Sequence, residues 1–177
     1  MSKARLATVW LDGCSGCHMS FLDIDERMVD LATKLDLVYS PLVDQKDFPE
    51  GVDIVLVEGA VSSEEDLHKI RLIRERCRVL VSLGDCAVTS NVPGMRNSFG
   101  TEAVLGRAYI ETAQLNAQIP TQVVPALLPR ARPLHEVVKV DVFVPGCPPS
   151  ADTIFYTLTE LLEGRTPDLT SVSRFGA

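Results

Sequence analysis

Cys14 and Cys17 sit in the run Gly13-Cys14-Ser15-Gly16-Cys17, and two single cysteines, Cys86 and Cys147, follow with 68 and 60 residues in between. Four thiolates form a soft donor set, suited to iron–sulfur clusters or zinc rather than to hard cations. Gly84-Asp85-Cys86 and Pro145-Gly146-Cys147-Pro148-Pro149 share with the first run a flanking Gly or Pro. Glycine lets the backbone approach a cluster closely and aim N–H groups at its sulfurs, while proline stiffens the loop. Together the four suit a [4Fe–4S] cubane.

Other chemistries compete for parts of this pattern. Structural zinc usually takes its cysteines from two closely spaced pairs in a short ribbon or finger, which one pair plus two distant singles fits poorly. Cys14-Ser15-Gly16-Cys17-His18 also matches a c-type haem attachment pattern, and the pair alone matches a thioredoxin-type dithiol. Each of these leaves Cys86 and Cys147 without a role, and His18 is read as a helix N-terminal residue rather than a ligand. Cys77, in Arg74-Glu75-Arg76-Cys77-Arg78, lacks the Gly or Pro framing and is expected to be a buried structural thiol.

The elements that must position these thiols alternate between short apolar runs and longer amphipathic ones. Strands are expected at Leu6 to Leu11, Leu35 to Tyr39, Asp53 to Val57, Val79 to Leu83 and Val140 to Val144. Phe21, Ile24, Met28, Leu31 and Leu35 predict one helix over Ser20 to Lys34. Ser62 and Ser63 before Glu64, Glu65 and Asp66 predict an N-cap and an acidic first turn for a second helix reaching Arg76. Strands that are apolar almost throughout, alternating with helices, imply an α/β fold with a doubly wound parallel sheet. The cysteine turns then fall at the carboxyl ends of strands, where open α/β sheets place their ligands. Pro120, Pro125, Pro129 and Pro133 argue against a long regular element between Arg107 and Pro133, and the chain after Gly164 shows no period.

The bulk numbers exclude several function classes. The 177 residues, 46% hydrophobic and 23% charged, suit one globular domain, and aromatics at 6% imply an aliphatic core. A formal charge of −7 without a dense basic stripe argues against nucleic-acid binding. Lys69, Arg71, Arg74, Arg76 and Arg78 are read as a solvated helix face. No apolar run approaches the roughly 18–20 residues of a membrane span, and the N-terminus shows neither a signal core nor an Arg-Arg pair. The cytoplasm is therefore expected, and there cysteines serve as ligands or catalysts rather than as disulfides, which the odd count of five also keeps from pairing fully.

Four fragments stand in order along the chain: Cys14-Ser15-Gly16-Cys17, Val57-Glu58-Gly59, Gly84-Asp85-Cys86-Ala87 and Gly146-Cys147-Pro148-Pro149. Over about residues 5 to 163 they resemble the small subunit of nickel–iron hydrogenases. The resemblance implies a flavodoxin-like domain, taken as residues 1–164 with a proline-rich insertion near 107–134 and a tail over 165–177. It gives the role of [4Fe–4S] ligand to Cys14, Cys17, Cys86 and Cys147, with Glu58 beside the cluster edge. His18-Met19-Ser20-Phe21 and the run from Asn91 to Asn97, with no cysteine after Cys147, look most like the bidirectional, NAD-reducing soluble enzymes. Those imply a large subunit carrying the Ni–Fe centre and iron–sulfur and flavin diaphorase subunits as partners. No thiolate set remains here for nickel, so hydrogen chemistry is expected on a partner chain.

Met19 stands where the family often has a proton-transferring Glu, which puts a proton route through it in doubt. A flavodoxin-like sheet can hold FMN at its first strand–helix turn, but here that turn carries cysteines, which gives FMN no support there and leaves other places open. The alternatives are a complex I-type cluster subunit, which typically has two adjacent cysteines in its first motif, and a stand-alone iron–sulfur carrier. Against the carrier stands the proline-broken apolar stretch around Val123 to Leu134, an exposed surface such a protein does not need.

Overall fold

A computed structural model describes residues 3–173. Along the chain its strands are β1 (Ala4–Trp10), β2 (Leu35–Tyr39), β3 (Val52–Glu58), β4 (Val61–Ser63), β5 (Cys77–Leu83), β6 (Leu127–Arg132) and β7 (Val142–Val144). Its helices are α1 (Gly16–Leu22), α2 (Arg27–Lys34), α3 (Glu64–Arg76), α4 (Asp85–Thr89), α5 (Asn91–Gly94), α6 (Thr101–Gly106) and α7 (Ala151–Leu162). Five strands pair in parallel in the order β2-β1-β3-β5-β7, while β4 and β6 form a separate antiparallel pair. This is the doubly wound flavodoxin order, and its topological switch point lies between β1 and β3.

Both sheet faces are apolar because both are covered. Ala7, Val9, Val55, Val57 and Leu80 face Ile70 and Ile73 of α3, whereas Leu6, Ile54, Leu56, Val81 and Val144 face Phe21, Ile24, Leu31, Ile154 and Leu158. Strict alternation along each strand thus sends both sets into cores, which is why the strands read as unbroken apolar runs. Helix α3 starts as its sequence implies. Ser63 Oγ accepts from the Asp66 backbone N–H at 3.1 Å, and the Asp66 carboxylate accepts from the Ser63 backbone N–H at 2.9 Å.

The structure corrects several expectations. The helix expected over Ser20 to Lys34 is two helices, the first of which begins earlier, at Gly16, while β2 begins at Leu35 as expected. Asp25, at φ +56°, breaks the chain between α1 and α2, and the turn buries Ile24. The stretch from Arg107 to Pro133 is more regular than its prolines suggest. A π-helical turn, Arg107–Glu111, extends α6, and β6 pairs with β4. Pro129 is tolerated because a strand in a two-stranded sheet has a side with no ladder to lose. Leu128 and Leu134 are buried in the chain's own core, so the exposed apolar segment ends sooner than expected. The basic run over the end of α3 and the start of β5 is partly engaged: Arg74 pairs with Asp141, Arg76 with Glu50 and Arg78 with Asp53.

Candidate metal centre

Three loops at the carboxyl edge of the sheet carry the four cysteines: Cys14 and Cys17 follow β1, Cys86 follows β5 and Cys147 follows β7. Cys14 and Cys147 are exposed, Cys86 is half-buried and Cys17 is buried. Each loop depends on a residue type that only its position explains. Ser15, at φ +67°, turns the chain between β1 and α1. Gly84 sits at φ +82°, and a Cβ there would run into Cys17 Sγ. A Cβ on Gly146 would lie 2.6 Å from the Pro149 backbone. The glycines beside Cys86 and Cys147 therefore hold room for the sulfurs and for the turn that presents them.

Backbone and amide N–H groups point at the sulfurs. Gly16 N–H donates to Cys14 Sγ at 3.4 Å and Asn91 Nδ2 to Cys147 Sγ at 3.6 Å, while the Val92 amide donates to Cys86. Such donors stabilise negative charge on thiolate sulfur. Burial pushes the Cys17 thiol far above its ordinary range, and Glu58, Cys86, Cys14 and Cys147 push it further. Cys86 is pushed up as well, by burial first; the Val92 amide works against this, whereas Cys147, Cys14 and Glu58 add to it. Thiols that disfavour one another's ionisation this way fit a positively charged metal group that would deprotonate them together.

Behind the cysteines lies Glu58, which the resemblance places beside the cluster edge, with a partner, His18, that the sequence did not reveal. Glu58, at the end of β3, is fully buried, and its Oε2 accepts from the His18 backbone N–H at 3.0 Å and from His18 Nδ1 at 2.6 Å. That leaves His18 Nε2 buried without a partner. This pair spans the switch point, tying α1 to β3 across 40 residues of sequence. A polar residue on the inward face of a helix that otherwise buries Cys17 and Phe21 was the available signal for His18. Asp85 was missed as well. It is buried; its Oδ1 accepts from the Gly146 N–H at 2.7 Å, and its own N–H donates to the Gly146 carbonyl at 2.9 Å. Ser20 Oγ donates to the Pro149 carbonyl at 2.5 Å, fastening the third loop to α1. Met19 is exposed, and Cys77 lies at the far end of β5, where burial raises its thiol and leaves it chemically quiet.

Fold and site together define a flavodoxin-like α/β domain with a thiol-lined switch point. The chain belongs to the family described as NADH ubiquinone oxidoreductase, 20 Kd subunit, whose profile matches residues 14–161. Among its relatives is the NAD-reducing hydrogenase HoxS subunit delta of Cupriavidus necator, 44% identical over 98% of this chain and 86% of that one. Another is a subunit of the F420-non-reducing hydrogenase vhu of Methanocaldococcus jannaschii, 35% identical over 93% of this chain, which spans 58% of that relative's length. A crystal structure of NAD+-reducing [NiFe]-hydrogenase in the H2-reduced state contains a chain that superposes with a TM-score of 0.93 at 39% identity, covering 98% of this chain and 99% of that one. Among the described residues no helix is long and apolar enough to cross a membrane.

Proposed function

We propose that this chain is the small, electron-transferring subunit of a cytoplasmic, NAD-reducing [NiFe] hydrogenase, with Cys14, Cys17, Cys86 and Cys147 holding one [4Fe–4S] cluster. The observation that carries the reading is the convergence of these four thiols, from three distant loops, on one edge of the sheet. Such a cluster, when bound, accepts and releases electrons at a potential set by its surroundings. The chain's own residues supply those surroundings. The Gly16, Val92 and Asn91 N–H groups face the sulfurs, the Glu58 carboxylate lies behind them, and Cys17 itself is part of the apolar core. One close cysteine pair plus two distant single cysteines also fits poorly the two close pairs that structural zinc sites usually use.

The partners in this reading are a large subunit carrying the Ni–Fe centre and iron–sulfur and flavin diaphorase subunits. A quinone-linked role draws support from the family description, but the spaced Cys14 and Cys17, and a relative that is a subunit of an NAD-reducing hydrogenase and is covered over 86% of its length, favour the hydrogenase. The test is anaerobic purification of the native assembly with analysis of its metals and subunits. About four iron and four sulfide per chain, with nickel on a larger partner, are expected. Replacing any of the four cysteines by Ser should deplete the iron, and Cys77→Ser should not. Zinc alone, or full iron in a ligand variant, would overturn the assignment.

A further inference from the structure

Beside the cysteine edge lies a polar cleft of about 640 Å³, between the α4–α5 segment and β6. Arg130 and Arg132 both line it. Among the described arginines, Arg5, Arg71, Arg96, Arg130 and Arg132 have no carboxylate within 4.0 Å, and of these Arg130 and Arg132 share this one cleft. Glu136, the carboxylate that lines the cleft, pairs with neither arginine. In a chain of net charge −7 this leaves two positive charges facing one opening without neutralisation. Their backbone is held firmly, because Asn97 closes two hydrogen bonds, each 2.9 Å, with the carbonyl and N–H of the intervening Ala131. Ser90, also lining the cleft, is 4% exposed, and its Oγ has no hydrogen-bond partner. Buried hydroxyls are rarely left so, and this one waits for an acceptor or donor from outside.

The geometry points to an oxyanion as the occupant, since guanidinium forks match carboxylates in shape as well as charge. The cleft is far larger than one free ion needs, and its rim carries the exposed Met95, which suits a protein segment. Asn91 lines the cleft while its amide reaches Cys147 Sγ, so the opening adjoins the edge where electrons must pass to or from a partner. We propose that Arg130, Arg132 and Ser90 receive a carboxylate-bearing segment of the partner subunit that docks at the cysteine edge; the inference rests on the assembly proposed above.

The test uses the purified complex. Arg130→Gln/Arg132→Gln should raise the dissociation constant between this chain and its docked partner at least tenfold in 0.15 M salt and flatten its salt dependence. Iron content should stay at the wild-type level, and Arg71→Gln should match wild type. Arg130→Lys/Arg132→Lys keeps the charge and places amines in the cleft, so a zero-length carbodiimide should cross-link it to a partner carboxylate, identified by mass spectrometry. A dissociation constant within twofold of wild type, together with no cross-link, overturns the inference. So does a response confined to added inorganic phosphate, which would make the cleft a free-anion site. Nickel and iron in the wild-type complex keep the hydrogenase reading standing in either case, and a complex without a nickel-bearing partner removes both.

Discussion

The cysteine edge and the segment from Val92 to Leu127 adjoin each other and have opposite characters. At the cysteine edge the chain meets most of its own needs: Glu58 is satisfied by His18, Asp85 by Gly146, and Ser20 by Pro149. Along the neighbouring segment Phe99 is 73% exposed, Leu115 85% and Val123 fully exposed, and Phe99, Val104 and Ala108 line an apolar hollow. Regular structure is not the difference, since the segment includes α5, α6 and the start of β6. One region is closed by internal hydrogen bonds, and the other presents apolar surface on elements that bury little of it. Exposed apolar side chains gathered in one segment are what an interface needs. The first region brings the four thiols together, and the second offers the surface expected to pack against a partner.

The largest effect should come from disturbing the closed region. Gly84→Val places a side chain against Cys17 Sγ in a backbone conformation that β-branched residues rarely adopt. A loss of about 3 kcal/mol or more in urea unfolding, with loss of iron, is expected. Wild-type iron in a stable Gly84→Val protein would show that the Cys86 loop does not depend on this contact.

Asp85→Ala should come next. It leaves the Gly146 N–H buried without its acceptor, at about 1–3 kcal/mol, and should shift the cluster's potential by freeing two loops to move. Redox titration beside urea unfolding separates the two effects, and an unchanged potential would reduce Asp85 to a purely structural residue.

A control lies at the opposite end of the sheet. Burial works against the Asp141 charge, but the Leu80 N–H and the Arg74 guanidinium outweigh it and hold this carboxyl below its ordinary range. A depressed folded value means that the stabilisation is complete above the ordinary Asp range and fades as pH falls through the folded value. Asp141→Asn should therefore cost about 1 kcal/mol at neutral pH, and the gap from wild type should close in acid. A gap that persisted or widened in acid would refute that sign.

The smallest stability effects should fall on the open segment. Leu115→Ser and Val123→Ser should stay within about 0.5 kcal/mol in the isolated chain while weakening the complex. Hydrogen exchange over residues 112–126 should be fast alone and slow when assembled. Equal protection in both states would mean that the segment packs on its own domain.

The parallel sheet and the placement of the cysteines at strand ends were legible because they depend on local apolar runs and on Gly and Pro beside each thiol. The α3 cap was legible for the same reason, since Ser63 and Asp66 lie within one turn. What escaped were contacts between distant residues. Nothing near His18 announces Glu58, and nothing near Asp85 announces Gly146. The break at Asp25 was hidden because Phe21, Ile24, Met28 and Leu31 keep helical spacing across it. Strand β6 was hidden because Pro125, Pro129 and Pro133 obscure a pairing whose register slips opposite Val61 and Ser63.

The paired hydrogen bonds between Asp85 and Gly146 have a further consequence. Beyond the last β5–β7 pair, Leu83 with Val144, the two strands remain joined by the Gly84 N–H to Val144, the Asp85 N–H to Gly146 and the Gly146 N–H to the Asp85 carboxylate. The ladder thus continues past the sheet into the loops that carry Cys86 and Cys147, and the two loops form one mechanical part. A site that gains and loses charge repeatedly tends to pull its donors in and let them drift at each event, and every such movement must be undone before the next. With the proposed cluster bound, donors braced against each other would hold their spacing through the cycle, so the protein around an electron's stopping place would have little to rearrange when the electron arrives or leaves.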